Sequence, residues 1–202
     1  MINLKGELLD ANVYILEKGD SCIIIDSGAS VEKVKASLNG KKPIAIFLTH
    51  GHFDHSIHCN DYAKAFNCKI YASEKIPMTL GDSVAIYSPD YSTIDDLSNF
   101  EYLKDGQSLK VGDFDVQCIA APGHSLCCMC YLIDGDLFAG DVLFDKGIGR
   151  TDLKNSDKTA MLTTLKKLEK QDFQNVFSGH GEKSNHDIQM KNIALFKRFL
   201  SR

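Results

Sequence analysis

The segment Thr49-His50-Gly51-His52-Phe53-Asp54-His55 places three histidines and an aspartate within six residues. Imidazoles and carboxylates at this density are the donors of a transition-metal site. Side chains two apart on an extended backbone point the same way, so His50 and His52 can grip one ion together. Asp54 and His55 fall where the chain turns into the next helix; they face differently and suit a second ion close by. Further donors end predicted strands beside glycine: His124 in "APGHS", Asp141 in "FAGD" and His180 in "FSGH". Neutral imidazoles and hard carboxylates, with no obligatory thiolate, suit Zn²⁺ and also tolerate iron or manganese. The plainer reading, a set of structural histidines, has to explain why every one of these donors is present.

Such donors need rigid carriers. "NVYILE" and "CIIID" read as consecutive strands joined by the turn Lys18-Gly19-Asp20, and "SVEKVKASLNG" as a helix capped by Ser30 and stopped at Gly40. "KPIAIFLT" is a continuous apolar run, typical of a strand covered on both faces. A helix is expected over 55–66 and a strand in "CKIYAS"; 76–100 reads as a loop-rich insert with one short helix. Hairpins follow across Gly112-Asp113 and Asp134-Gly135, then a helix over about 156–170, the strand "NVFSGH" and an amphipathic helix over about 185–200. Strand pairs alternating with helices in both halves predict an α/β fold of two sheets packed face to face with helices outside.

The 202 residues suffice for one substantial core rather than two independent ones. A net charge of −4 gives no support for binding nucleic acid or an anionic membrane surface. The longest apolar runs are far too short to span a bilayer. The N-terminal stretch, with its scattered charges, reads as two short strands rather than an export signal. The odd number of cysteines, seven, argues against a disulfide framework and for reduced thiols, so a cytoplasmic setting is expected.

Taken in order from residue 50 to residue 180, "HGHFDH", "PGH", "GD" and "GH" resemble the metallo-β-lactamase superfamily. The resemblance spans essentially the whole chain and implies a single domain, 1–202, folded as a four-layer αβ/βα sandwich. It further implies that one metal takes His50, His52 and His124, that a second takes Asp54, His55 and His180, and that Asp141 bridges them with a water or hydroxide. Two divalent ions, two carboxylates and one hydroxide leave about +1 on the cluster, which favours an anionic substrate and a developing oxyanion.

Within the superfamily, two-zinc β-lactamases use Cys in the place of Asp141, and flavodiiron oxygen reductases use Glu in the place of His52. Nucleolytic members carry extra domains or a basic surface. The glyoxalase II-like group remains: thioester hydrolases, lactonases and mono-iron relatives. For a hydroxyacylglutathione hydrolase-like reaction, Asp54 would orient the nucleophile and accept its proton, and a thiolate with pKa near ~8.5 leaves without a strong acid. The helical domain that binds glutathione in full-length glyoxalase II has no counterpart after His180, where one helix follows. Two other readings stand beside this one: a single iron on His50, His124 and Asp141 oxidising persulfides with O₂, and a non-enzymatic metal-binding protein.

Asp26, ending "IIID", falls where the superfamily has an aspartate bracing the histidine loop, and reads equally well as a turn residue. Arg150, in "GIGRTDL", resembles a segment of glyoxalase II-like proteins and persulfide dioxygenases; it either serves ligands or substrate or pairs with Asp152. His58 and His186 read as surface or cap residues. Cys59, Cys68, Cys127, Cys128 and Cys130 read as small buried hydrophobes rather than a second metal site. Tyr87 and Tyr91 are candidates for a pocket wall in the insert.

Overall fold

Period-two burial in the N-terminal strands builds two cores at once. The computed structural model describes residues 1–79 and 96–201, so Tyr87 and Tyr91 lie outside the described residues. The first half runs β1 (Ile2–Lys5), β2 (Asn12–Lys18), β3 (Ser21–Ile25), α1 (Val31–Ser37), β4 (Lys42–Phe47), α2 (Phe53–Ser56), α3 (Cys59–Phe66) and β5 (Lys69–Ser73). A 3-10 turn at Ile76–Met78 and then β6 (Phe100–Leu103) complete it. Val13, Ile15, Ile24 and Ile46 pack outward onto Val34 of α1 and Tyr62 of α3. The residues between them, Tyr14, Leu16, Ile23, Ile25 and Phe47, face the other way. Strands buried on both faces are the physical reason that "CIII" and "IAIF" read as unbroken apolar runs.

The second half runs β7 (Ser108–Val111), β8 (Phe114–Ala120), β9 (Met129–Ile133), β10 (Asp136–Gly140), β11 (Leu143–Phe144), β12 (Gly147–Ile148), α4 (Lys158–Leu168), β13 (Asn175–Ser178), β14 (Ser184–Asn185) and α5 (His186–Leu200). One sheet has the order β1-β2-β3-β4-β5-β6 and the other β14-β13-β10-β9-β8-β7. Both are mixed: β3 to β6 run parallel in the first, and β10 runs parallel to β13 in the second. The inner faces meet in an aromatic core in which Tyr14 packs edge-on against Phe138 and Phe177 at 5.5 and 5.4 Å, and Phe47 meets Tyr131 at 5.1 Å. Met161, Leu165 and Leu168 of α4 and Ile193 of α5 cover the outer face of the second sheet. The layers are therefore helix, sheet, sheet, helix, the four-layer sandwich expected. Among the described residues no helix is long and apolar enough to cross a membrane.

Two local departures have physical causes. The helix expected over 55–66 is broken into α2 and α3, because the His58 N–H donates to the Ser27 carbonyl at 3.2 Å instead of continuing the helical ladder. Gly28 permits this approach: a Cβ there would lie 2.1 Å from the Asp54 carbonyl oxygen. The second departure is β6, which pairs along the edge of the first sheet. Its sequence "FEYL" buries only its two ends, too sparse a pattern to announce a strand.

Candidate metal centre

All the donors singled out in the sequence converge at one end of the sandwich. His50, His124, Asp141 and His180 lie just past the C-terminal ends of β4, β8, β10 and β13, and α2 supplies Asp54 and His55. Two tyrosines from the inner core fix these exits. Tyr131 donates its hydroxyl to the Leu48 carbonyl at 2.7 Å, just before the histidine loop. Tyr14 donates to the Ser178 carbonyl at 2.7 Å, just before His180. Each tyrosine reaches from one sheet to the other, so sheet packing sets the spacing of the donors.

Three donor groups have their ligand atoms within 4.8 Å of one another: His50, His52 and His124; Asp54, His55 and His180; and His50, His55 and Asp141. Asp141 stands between the first two. Its Oδ2 is 3.5 Å from His124 Nε2 and 3.5 Å from His180 Nε2, and its Oδ1 is 3.4 Å from His55 Nε2. The glycine before His180 makes room for it. A Cβ on Gly179 would lie 2.1 Å from Asp141 Oδ1 and 2.7 Å from His55 Cε1. Gly179→Ala is therefore expected to fold while losing metal, since the added methyl occupies donor space. Elemental analysis of the dialysed variant checks this, and wild-type metal content would contradict it.

The outward nitrogens of the imidazoles are held by acceptors, which fixes what the inward nitrogens offer. His55 Nδ1 meets Asp26 Oδ2 at 2.9 Å, His124 Nδ1 meets the Arg150 carbonyl at 3.1 Å, and His180 Nδ1 meets the Leu9 carbonyl at 3.0 Å. Thr49 Oγ1 donates its one proton to Asp26 Oδ2 at 2.8 Å, so at its 3.1 Å contact with His50 Nδ1 the ring is the donor. Each of these rings thus turns Nε2 to the centre, while His52 presents Nδ1, 3.0 Å from His124 Nε2. Such outer partners orient metal-binding histidines and set their tautomers.

The cluster asks for cations. His50 Nε2 and Asp141 Oδ1 are buried and have no hydrogen-bond partner among the described residues. His55 Nε2 and His180 Nε2 are 3.2 Å apart, a separation at which two lone pairs cannot face each other without a proton or cation between them. The donor set thus fits divalent metal ions, with Asp141 beside donors of both three-residue groups.

Without ions, protons take their place. Burial opposes charge on His55, yet Asp54, Asp141 and Asp26 outweigh it and raise its pKa to about 10. Burial also works against the Asp54 carboxylate, but the cationic His55 and the hydrogen bond from His180 bring it down to about 2. Burial, reinforced by the neighbouring imidazoles, pushes His50 well below the usual imidazole range and lowers His124 to about 3. Burial raises the pKa of Asp141, against the pull of His55 and His180. A metal entering the Asp54, His55 and His180 group must therefore displace the His55 proton. Expected at pH 7 is net proton release on metal uptake, with affinity rising as pH rises toward about 10. Titration calorimetry in buffers of different ionisation enthalpy reads this directly; zero proton release would contradict it. For the metal-free protein the sign is opposite: a raised His55 pKa stabilises fully below the unfolded value near ~6.5 and is lost as pH climbs through about 10.

Asp26 proves to be a brace. It is 2% exposed, sits in the left-handed region at φ 62°, and also accepts the Thr49 N–H at 2.7 Å. Arg150 donates from Nε and Nη2 to the Asp152 carboxylate, each at 2.9 Å, its side chain is 66% exposed, and its carbonyl is what meets His124. His58 meets Glu7 and Asp61 on the surface, and His186 begins α5. All seven cysteines are free thiols. Thr49, Tyr14 and Tyr131 were not legible as positioning groups. Their signal was a hydroxyl in an otherwise apolar strand, which when buried must find a partner.

Residues 6–180 match the family model of the metallo-β-lactamase superfamily. The chain is 32% identical over 185 residues to the probable metallo-hydrolase YqgX of Bacillus subtilis, covering 88% of each. It is 28% identical to the probable polyketide biosynthesis zinc-dependent hydrolase PksB of the same organism, covering 87% of this chain and 76% of PksB. Among solved structures, the BLEG-1 B3 metallo-β-lactamase superposes with a TM-score of 0.87 at 27% identity over 96% of this chain and 98% of that one. TTHA1623 in a di-iron-bound form gives 0.83 at 27% identity over 95% and 98%. A likeness to ETHE1 from Myxococcus xanthus, TM-score 0.75 at 19% identity over 100% and 91%, extends to the fold. Fold, donor geometry and relatives agree: the chain belongs to the metallo-β-lactamase superfamily.

Proposed function

We propose that this protein is a dinuclear metal-dependent hydrolase of thioesters, similar to hydroxyacylglutathione hydrolases. The observation that carries the reading is Asp141, whose two oxygens lie within 3.5 Å of donors from both three-residue groups. One ion would be held by His50, His52 and His124, the other by Asp54, His55 and His180, with Asp141 shared. Ions so bound supply Lewis acidity toward a carbonyl oxygen and toward water. Asp54 would be the proton acceptor: it belongs to the Asp54, His55 and His180 group, and its Oδ2 lies 3.2 Å from His180 Nε2. The side chain of His180 is 27% exposed while those of His55 and Asp141 are 0 and 10%, so substrate approaches over the His180 edge. A thiolate leaving group needs no acid from the chain, which suits a site made of ligands and their braces.

Zinc is the proposed metal, supported by the zinc-dependent relative; the di-iron neighbour makes iron the competitor. Free thiols throughout suit a reducing, cytoplasmic setting. The substrate is a small molecule with anionic character. The test is elemental analysis coupled to a panel of S-lactoylglutathione, other acyl thioesters, lactones and a β-lactam, the last because of the β-lactamase neighbour. About two ions per chain and preferential thioester hydrolysis are expected. One iron per chain with O₂ consumption on glutathione persulfide would replace this reading with the mono-iron one, and preferential lactone or β-lactam turnover would remove the thioester assignment.

A further inference from the structure

Between His50 and His52 sits Gly51, which has no side chain to fix its peptide. Its N–H donates to Cys127 Sγ at 3.2 Å. Its carbonyl faces Ser56 Oγ at 3.4 Å. The sulfur is a junction of three segments. Thr79 Oγ1 lies 2.9 Å from it, at the end of the 3-10 turn, and Ser125 Oγ lies 3.5 Å from it, beside His124. Nearby, Met129 N–H donates to the Thr49 carbonyl at 2.8 Å, so the 125–129 segment and the histidine loop exchange contacts much as paired strands do. Cys127 is 1% exposed.

We infer that Cys127 is a positioning residue of the metal centre: its sulfur accepts the Gly51 N–H and thereby holds His50 and His52 in the orientation one ion requires. This goes beyond the reading of Cys127 as a small buried hydrophobe, and it rests on the two-ion assignment made above. The physical argument is the cost of a buried donor. Without the sulfur, the Gly51 N–H loses the acceptor that the described residues give it, and the peptide rotates to find another. Because the ligands flank that peptide on both sides, its rotation turns both imidazoles. Burial pushes the Cys127 pKa up, so the group works as a neutral thiol and an uncharged acceptor can substitute for it. The other donor group is braced separately, by Asp26 on His55 and Leu9 on His180. Loss of Cys127 should therefore weaken one ion and spare the other.

The experiment is a stepwise Co²⁺ titration of the metal-free full chain, followed by its d–d absorption and by chelator competition, with circular dichroism and Tm as fold controls. Cys127→Val keeps apolar bulk and removes the acceptor; Cys127→Ala removes it without bulk and stands in if valine does not fold. Either is expected to weaken one of the two binding steps roughly 10–100-fold, the usual effect of losing an outer partner of a metal ligand. Cys127→Ser restores an acceptor and is expected to stay within about threefold of wild type on both steps, the upper end of context effects for a retained hydrogen bond. A purely structural role would lower Tm and leave both affinities unchanged. Unshifted steps in the valine or alanine variant, or a serine variant as impaired as valine, would overturn the inference. Fewer than two ions on the wild type would instead overturn the two-ion assignment itself.

Discussion

Asp141→Asn is expected to leave the sandwich folded and to abolish tight metal binding. The amide preserves shape, so the packing of β10 against β13 is unaffected, but it removes the negative charge and one of the two acceptor oxygens that face His55, His124 and His180. Outer partners of metal ligands already cost roughly 10–100-fold in affinity, so loss of the shared carboxylate should exceed ~10²-fold for at least one ion. Hydrolysis should fall by on the order of 10²-fold or more, following the loss of metal. Metal-free stability should change little, because burial outweighs the pull of His55 and His180 on the Asp141 charge. Chelator competition and chemical denaturation on the same sample separate the two effects. Unaltered metal affinity would remove Asp141 from its shared position.

Asp26→Asn is the second large effect, and here stability and binding should fall together. Asn adopts the left-handed backbone at φ 62° as readily as Asp, so any loss arises from the carboxylate rather than the turn. Asp26 accepts from Thr49 N, Thr49 Oγ1 and His55 Nδ1 at 2.7, 2.8 and 2.9 Å. An amide turns one of these acceptors into a donor facing donors. Breaking a buried charged pair by removing one partner costs about 3–5 kcal/mol. If the amide N–H donates to His55 Nδ1, the ring must carry its proton on Nε2, where the ion needs a lone pair. Affinity at the Asp54, His55 and His180 group should drop by roughly 10–100-fold. A denaturation midpoint and both metal affinities matching wild type would show that Asp26 is a turn residue after all.

The donors were legible because their types and order are the chemistry itself: "HGHFDH" needs no fold to be recognised as metal-binding, and strand ends beside glycine located His124, Asp141 and His180. The layers were legible because burial on both faces leaves continuous apolar runs. What escaped was tertiary. The break between α2 and α3 depends on Gly28 meeting the Asp54 carbonyl, a contact outside the helix's own sequence. Tyr14 and Ser178, joined by a hydrogen bond, stand 164 residues apart, and Tyr131 and Leu48 stand 83 apart. Cys127 is one of several similar letters in "CCMC", and its contacts with Gly51, Thr79 and Ser125 separate it from its neighbours. Arg150 drew notice for its guanidinium, whereas its carbonyl is what meets His124.

The most direct test of two ions sharing Asp141 is anomalous diffraction from crystals of the metal-loaded protein, collected at the absorption edge of the bound element. The account predicts two peaks about 3.5–4 Å apart, the spacing of two-metal hydrolytic sites, with the Asp141 carboxylate in contact with both. A single peak, or two peaks of which Asp141 reaches only one, would contradict it.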